Sequence, residues 1–284
     1  MMGSALKLEL YKLFHTKKFY ICIFIGCVIC FFNTLYIIGA KQEFLMTLQE
    51  YWTGSNYDPA WQSASLYNCW IGGESFTLSF SVYFFVFPLL AALPYGWSLQ
   101  QDIRSGYMKN IGRRMSRSTY MKAKYVTAFF SGGLTVTIPL VLNFIATAMI
   151  LPAVMPDRAY PFFSVGQSDF LGDMYYGQPM LYFAIYLAII FVECGLIAGL
   201  ALVIGYFAKY KVVCVLIPFG VILFIHYFMH IINTQYELSP LYFLHPTPVV
   251  RYNNGWIILG FGVLMAVITA AVLLIKGRDT YEIY

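Results

Sequence analysis

Residues 180–232 read MLYFAIYLAIIFVECGLIAGLALVIGYFAKYKVVCVLIPFGVILFIHYFMHII. Two apolar runs, Met180–Ala208 and Val212–Ile232, are parted only by Lys209, Tyr210 and Lys211. Each run supplies the ~20 residues that a helix needs to cross a hydrocarbon layer. Three residues between them leave room for nothing but a tight antiparallel hairpin. Working outward from this pair, four more runs of similar length appear at Phe19–Gly39, Phe76–Trp97, Tyr125–Leu151 and Trp256–Ile275. Backbone polar groups in lipid must be satisfied within the segment, so the runs read as helices; a barrel would show short alternating strands instead. The expected class is an all-α integral membrane protein with six transmembrane helices, folded as one domain over residues 1–284.

Composition agrees. The chain is 60% hydrophobic and 11% charged, where a soluble domain carries about 25% charged residues. Aromatic residues make up 19%, suited to the boundary between lipid and water. The basic residues set an orientation. With the N-terminus inside, Lys7, Lys12, Lys17, Lys18, Arg104, Lys109, Arg113, Arg114, Arg117, Lys122, Lys124, Lys209, Lys211, Lys276 and Arg278 fall on the cytoplasmic side. Lys41, Arg158 and Arg251 fall outside. Fifteen against three is a strong positive-inside bias, so both termini are expected in the cytoplasm of a multi-pass cell-membrane protein. The outer segments hold Glu43, Glu50, Asp58, Glu74, Asp157, Asp169, Asp173 and Glu237 and are net acidic. The net charge of +5 is therefore a matter of topology, not of nucleic-acid binding.

Between the spans the reading is finer. Residues 4–18 carry Leu6, Leu10, Leu13 and Phe14 at helical spacing with Lys7, Lys12 and Lys18 on other faces, an interfacial helix on the inner leaflet. Residues 40–75 and 152–179 read as long outer loops rich in Tyr, Trp, Pro and Gly. Around Pro240, the run Leu241-Tyr242-Phe243-Leu244 is too short to span and too apolar for a free loop, so a short re-entrant or interfacial element is expected. The first apolar run is expected to stay in the chain, because no small-x-small cleavage site follows it. Five of the six cysteines lie in apolar runs, so no disulfide framework is expected.

Enzyme signatures are absent: there is no Gly-Lys dipeptide of a phosphate loop, no H-E-x-x-H and no G-x-S-x-G. Glu193 is the one carboxylate in the middle of an apolar run, beside Gly195 and Gly199, whose spacing permits close helix contact. His226, His230 and Asn233 share a face near the end of the fifth span. They read as lining of a substrate path or as inter-helix hydrogen bonding, since a metal would want a third strong ligand.

The inner link, residues 98–124, is the most informative segment. Tyr107, Ile111 and Met115 give it one apolar face with basic neighbours, an amphipathic helix broken near Gly106 and Gly112. Its residues Asp102, Gly106, Lys109, Arg113, Arg114, Arg117, Tyr120 and Lys124 follow Leu93-Pro94 and lead into the third span. From Pro88 through Lys124 the chain resembles the ABC-2 type permeases, the membrane subunits of ATP-binding-cassette exporters. These show an acid and a glycine after the second helix, a basic stretch, and a Ser/Arg-x-x-Tyr-x-x-x-Lys entry into the third. The resemblance implies a permease without catalysis or cofactor of its own. ATP and Mg would be bound by separate ATPase subunits docked on the link, which acts as a coupling helix. A second permease chain, identical or not, would complete the path. Glu193, His226, His230 and Asn233 are the residues read as facing it.

The acidic, aromatic outer segments suit a cationic amphipathic peptide, and several permeases of the resembled family export or protect against such peptides. An alternative from another class is a non-transporting sensor or immunity protein that binds its ligand on the outer loops. A secondary transporter is the weakest reading, for want of intramembrane charge pairs.

Overall fold

The computed structural model describes residues 2–52, 65–73, 77–112, 115–158, 165–166, 168–232, 235–248 and 251–278. Helix makes up 76% of it, with no strand among the described residues. In chain order the helices are α1 (Met2–Phe14), α2 (Lys17–Trp52), α3 (Leu66–Cys69), α4 (Leu78–Ala92), α5 (Ser98–Arg104), α6 (Tyr107–Gly112), α7 (Arg117–Ala148), α8 (Gly172–Gly177), α9 (Pro179–Ile204), α10 (Lys211–Ile231), α11 (Pro240–Phe243) and α12 (Gly255–Arg278).

Five of them, α2, α7, α9, α10 and α12, contain stretches long and apolar enough to cross a membrane. The second expected span differs. Its helix, α4, has 15 residues and rises about 23 Å, short of the ~30 Å hydrocarbon layer. It stops at Ala92, and Leu93–Trp97 turn beneath it. Pro94 cannot donate to a continuing helix, and Gly96 N–H bonds back to Ala92 O at 2.9 Å. Gly96 also lets α9 come close: a side chain there would meet Ala201 Cβ at 2.6 Å.

Other boundaries move for identifiable reasons. The expected loop 40–75 begins as helix, since α2 runs on to Trp52. The segment AKQEFLMTLQEYW has no Gly or Pro after Gly39 and is rich in strong helix formers. The third span starts at Arg117, because Ser116 caps it by accepting Thr119 N–H at 3.3 Å. The N-terminal helix is Met2–Phe14, parted from α2 by His15 and Thr16. Its inward face is Ala5, Glu9 and Leu13, while Phe14 is exposed.

Helices α7 and α9 form the centre and pack against each other most extensively. Within their apolar stretches, 56% and 61% of residues are buried, against 22–28% for α2, α10 and α12. Small residues make this seam. A side chain at Gly132 would collide with Ala198 Cβ and Cys194 O, and side chains at Gly195 and Gly199 would collide with the rings of Phe129 and Tyr125. The Gly195/Gly199 spacing thus does what the sequence anticipates. Asn143 of α7 ties three parts together: its Oδ1 accepts Ile71 N–H at 2.9 Å, and its Nδ2 donates to Cys30 O at 3.0 Å and Asn33 Oδ1 at 3.1 Å.

The end of the bundle away from α1 is closed by an aromatic cap. Trp70 is wholly buried, edge-on to Phe144 and Phe183. The apolar run after Pro240 forms the short helix α11, with Leu241 and Phe243 buried. Thr247 Oγ1 beyond it donates to Gly72 O at 3.2 Å, stitching the two connections together.

Candidate functional site

The inner link folds as two short helices, α5 and α6, separated at Ser105-Gly106. Gly106 has φ +70°, a left-handed conformation that side chains disfavour, so the chain reverses there. The expected break at Gly106 is present. Arg113 and Arg114 lie outside the described residues, as does the side chain of Lys109.

The link is held by a cluster of charges buried between α1, α5 and α7. Tyr120 and Lys124 lie one turn apart at the start of α7, so both point at Asp102 of α5. Lys124 Nζ donates to Asp102 Oδ2, as does Tyr120 OH, and lies 3.1 Å from that hydroxyl. On its other side Lys124 Nζ reaches Glu9 Oε2 at 3.4 Å. Tyr95 OH donates to the same Glu9 oxygen. Glu9 Oε1 accepts from Lys12 Nζ at 2.7 Å, and Lys12 also meets Tyr107 OH of α6 at 3.2 Å. Two acids and two lysines therefore cancel. Lys124 is 1% exposed and Glu9 is 0%. Burial alone would raise the Glu9 carboxyl, but Lys124, Lys12 and Tyr95 outweigh it and hold it below its ordinary value.

A second set of contacts joins the link to the α9–α10 turn. Gln100 Nε2 donates to Lys209 O at 2.8 Å, and Lys211 Nζ donates to Gln101 Oε1 at 3.0 Å. Lys18 and Lys211 both sit over the Trp97 ring, 3.6 and 4.8 Å from its centroid. A shift of α5 would thus be felt by α1, α7 and α10 together. The outward side of α5 carries Gln101, Ile103, Arg104 and Ser105, all exposed. Of the residues read as coupling positions, Asp102, Tyr120 and Lys124 come together and face inward, Gly106 makes the bend, and Arg117 starts α7 at its edge. Glu9, Lys12 and Tyr95 were missed. Glu9 falls at the fourth position after Ala5, the face that is buried; an acid amid Leu6, Leu10 and Leu13 was the available signal.

Of the residues read as path lining, the side chains of Glu193 and His226 are described, and they pack against different elements. Glu193 lies on α9 facing α12, where a side chain at Gly262 would overlap its carboxyl. His226 of α10 instead bonds Ser239 Oγ at 2.7 Å and packs edge-on against Tyr242, so it seats α11. Asn233 and the side chain of His230 lie outside the described residues. Of the outer acids, Asp169 accepts Gly166 N–H at 2.6 Å and Asn253 N–H at 2.9 Å, and Glu237 accepts Ser239 N–H at 3.0 Å. Asp173 pairs with Arg158 at 2.6 Å. Asp169 ties two connections together, Glu237 holds the turn into α11, and the Asp173 pair is exposed. Glu43, Glu50, Asp58 and Glu74 lie where no side chain is described.

Compared with protein-family models, with curated proteins and with solved structures, the chain matches none.

Proposed function

We propose that the chain is a membrane permease subunit that exports an amphipathic or peptide-like substrate, driven by ATP hydrolysed on separate subunits. In this reading α4 with its following turn makes a sixth span, α1 lies on the inner leaflet, and both termini are cytoplasmic. The ATPase docks on the outward side of the α5–α6 link, at Ile103 and Arg104 and at the Arg113-Arg114 pair beyond α6. Asp102, Tyr120 and Lys124 act as positioning residues behind that surface.

The observation that supports this is the ion cluster in which buried Glu9 and Lys124 meet part-buried Lys12 and Asp102. Buried charges are costly, and a link that merely connected two spans would need none. Paired as they are, they make the link, α1 and α7 move as one body, which a coupling element requires.

The test is affinity purification of the tagged full chain from its native cells, with the co-purified proteins identified by mass spectrometry. An ATPase subunit should come down with the parent chain. The R113E/R114E variant should lose it while still inserting in the membrane. Recovery of the parent chain with no ATPase would overturn the proposal.

A further inference from the structure

A furrow of about 780 Å³ opens between α9 and α12. Its α9 wall is Ile185, Ile189 and Val192, spaced three or four apart and so on one face. Ile258 and Leu259 of α12 face them, and Trp256, 81% exposed, stands at the rim. Polar groups mark the two ends. Glu193 lines the deep end, 4% exposed, and its Oε2 has no hydrogen-bond partner among the described residues. Asp169 and Asn253 line the other end, where the Asp169 carboxylate already accepts from Gly166 N–H and Asn253 N–H. Asn253 Nδ2 donates to His245 O at 3.2 Å and lies 3.4 Å from Tyr186 OH, which fixes the amide's orientation and leaves Oδ1 unpartnered. Both orphan atoms are acceptors, and no Lys, Arg or His lines the furrow. A buried acid without a partner is expensive. Gly262 leaves it room that a side chain would take.

We infer that this furrow binds an amphipathic primary amine entering from the lipid, with its ammonium donating to Glu193 and its alkyl body along the apolar walls. The ligand supplies what the site lacks: positive charge, N–H donors and apolar surface. A phospholipid fits less well. Glu193 lies 14 residues past Pro179, about 21 Å along α9, so an ethanolamine headgroup would drag its phosphate to that depth. An alkylamine carries one polar group only. The site rests on α9, α12 and the connections that meet them at Asp169 and Asn253. That its ligand is also the cargo rests on the exporter reading, and either can fail without the other.

The test uses the full chain in phosphatidylcholine/phosphatidylglycerol nanodiscs and a dodecylamine carrying a diazirine in its tail. Photolabelled peptides are mapped by mass spectrometry. Labelling should concentrate on residues 185–192 and 256–259 and be competed by unlabelled dodecylamine. Dodecanol and dodecyltrimethylammonium, which lack the charge and the N–H respectively, should compete roughly tenfold less well. Glu193→Gln should weaken dodecylamine by a similar factor. Ala188→Trp, which fills the furrow and keeps the acid, should abolish site labelling, giving a second variant should the first fail to fold. Label spread evenly over the lipid-facing sides of α2, α10 and α12 would show partition into annular lipid only and overturn the proposal. So would equal competition by dodecyltrimethylammonium or by phosphatidylethanolamine.

Discussion

The two polar sites of this protein treat buried charge in opposite ways. In the cluster of α1, α5 and α7, every carboxylate has an ammonium within 3.4 Å and the tyrosine hydroxyls fill in around them. In the furrow between α9 and α12, the Glu193 carboxyl stands among Ile and Val with one oxygen unpartnered, while the second acid there, Asp169, is taken up by backbone N–H groups. Glu9 and Lys124 are buried as deeply as Glu193, so for them pairing is the difference. A paired cluster spends its electrostatics on internal cohesion and has none left for a ligand. An unpaired acid stabilises little by itself and keeps its electrostatics for whatever arrives.

The largest expected effect breaks the pairing. Lys124→Met leaves two acids facing each other with no shared cation and should cost about 3–5 kcal/mol. Thermal unfolding in detergent, followed by fluorescence-detected size exclusion, should show it as a clear drop in melting temperature. Adding Glu9→Gln and Asp102→Asn should restore much of the loss. A triple variant as unstable as the single one would mean that Lys124 works by packing alone.

The next contrast sets the closed seam against the open furrow. Gly132→Ala pushes a methyl into Ala198 and the Cys194 carbonyl, which cannot move, and should cost about 1–3 kcal/mol. Gly262→Ala meets only the end of the Glu193 side chain beside free space, and should cost less than ~1 kcal/mol. The same melting assay ranks the two. Equal losses would show that the furrow wall is as rigid as the α7–α9 seam.

The smallest shift comes from pH. The Glu9 carboxyl is held below its ordinary 4.5 in the folded chain. Its contribution is therefore complete above about pH 4.5 and is lost as the pH falls through the depressed value. Glu9→Gln should flatten the acid limb of a melting-temperature profile and leave the slope above neutrality unchanged. An unchanged acid limb would place the titration on other carboxylates.

The apolar runs of α7, α9, α10 and α12 were legible because lipid-length hydrophobicity needs only counting. Gly106 was legible because glycine takes a left-handed φ without a side-chain clash. The ends of α2 and α4 were not, since helix-forming polar residues carried one past the apolar run and a turn at Pro94 cut the other short. At the site, Asp102, Tyr120 and Lys124 were found through a resemblance, but their inward direction was hidden. Basic residues near a membrane face read as exposed until a buried acid is seen to claim them, and Glu9 lies more than 90 residues upstream of Asp102. His226 was read as path lining or as an inter-helix hydrogen bond, and its partner, Ser239, could not be named because it sits on another element.

The length of α2 has a mechanical consequence. At 36 residues it is a rod of about 54 Å, nearly twice the thickness of the hydrocarbon layer. Its base adjoins α1 through two residues, fastened by Thr16 Oγ1 to Lys12 O at 2.7 Å and by Phe19 N–H to Thr16 O at 3.1 Å. Pivoted at that base, a tilt of only ~10° would sweep the far tip through roughly 9 Å. Turning on Thr16, one helical turn from Lys12 of the ion cluster, such a rod would magnify at its far end whatever rotation is applied at its base.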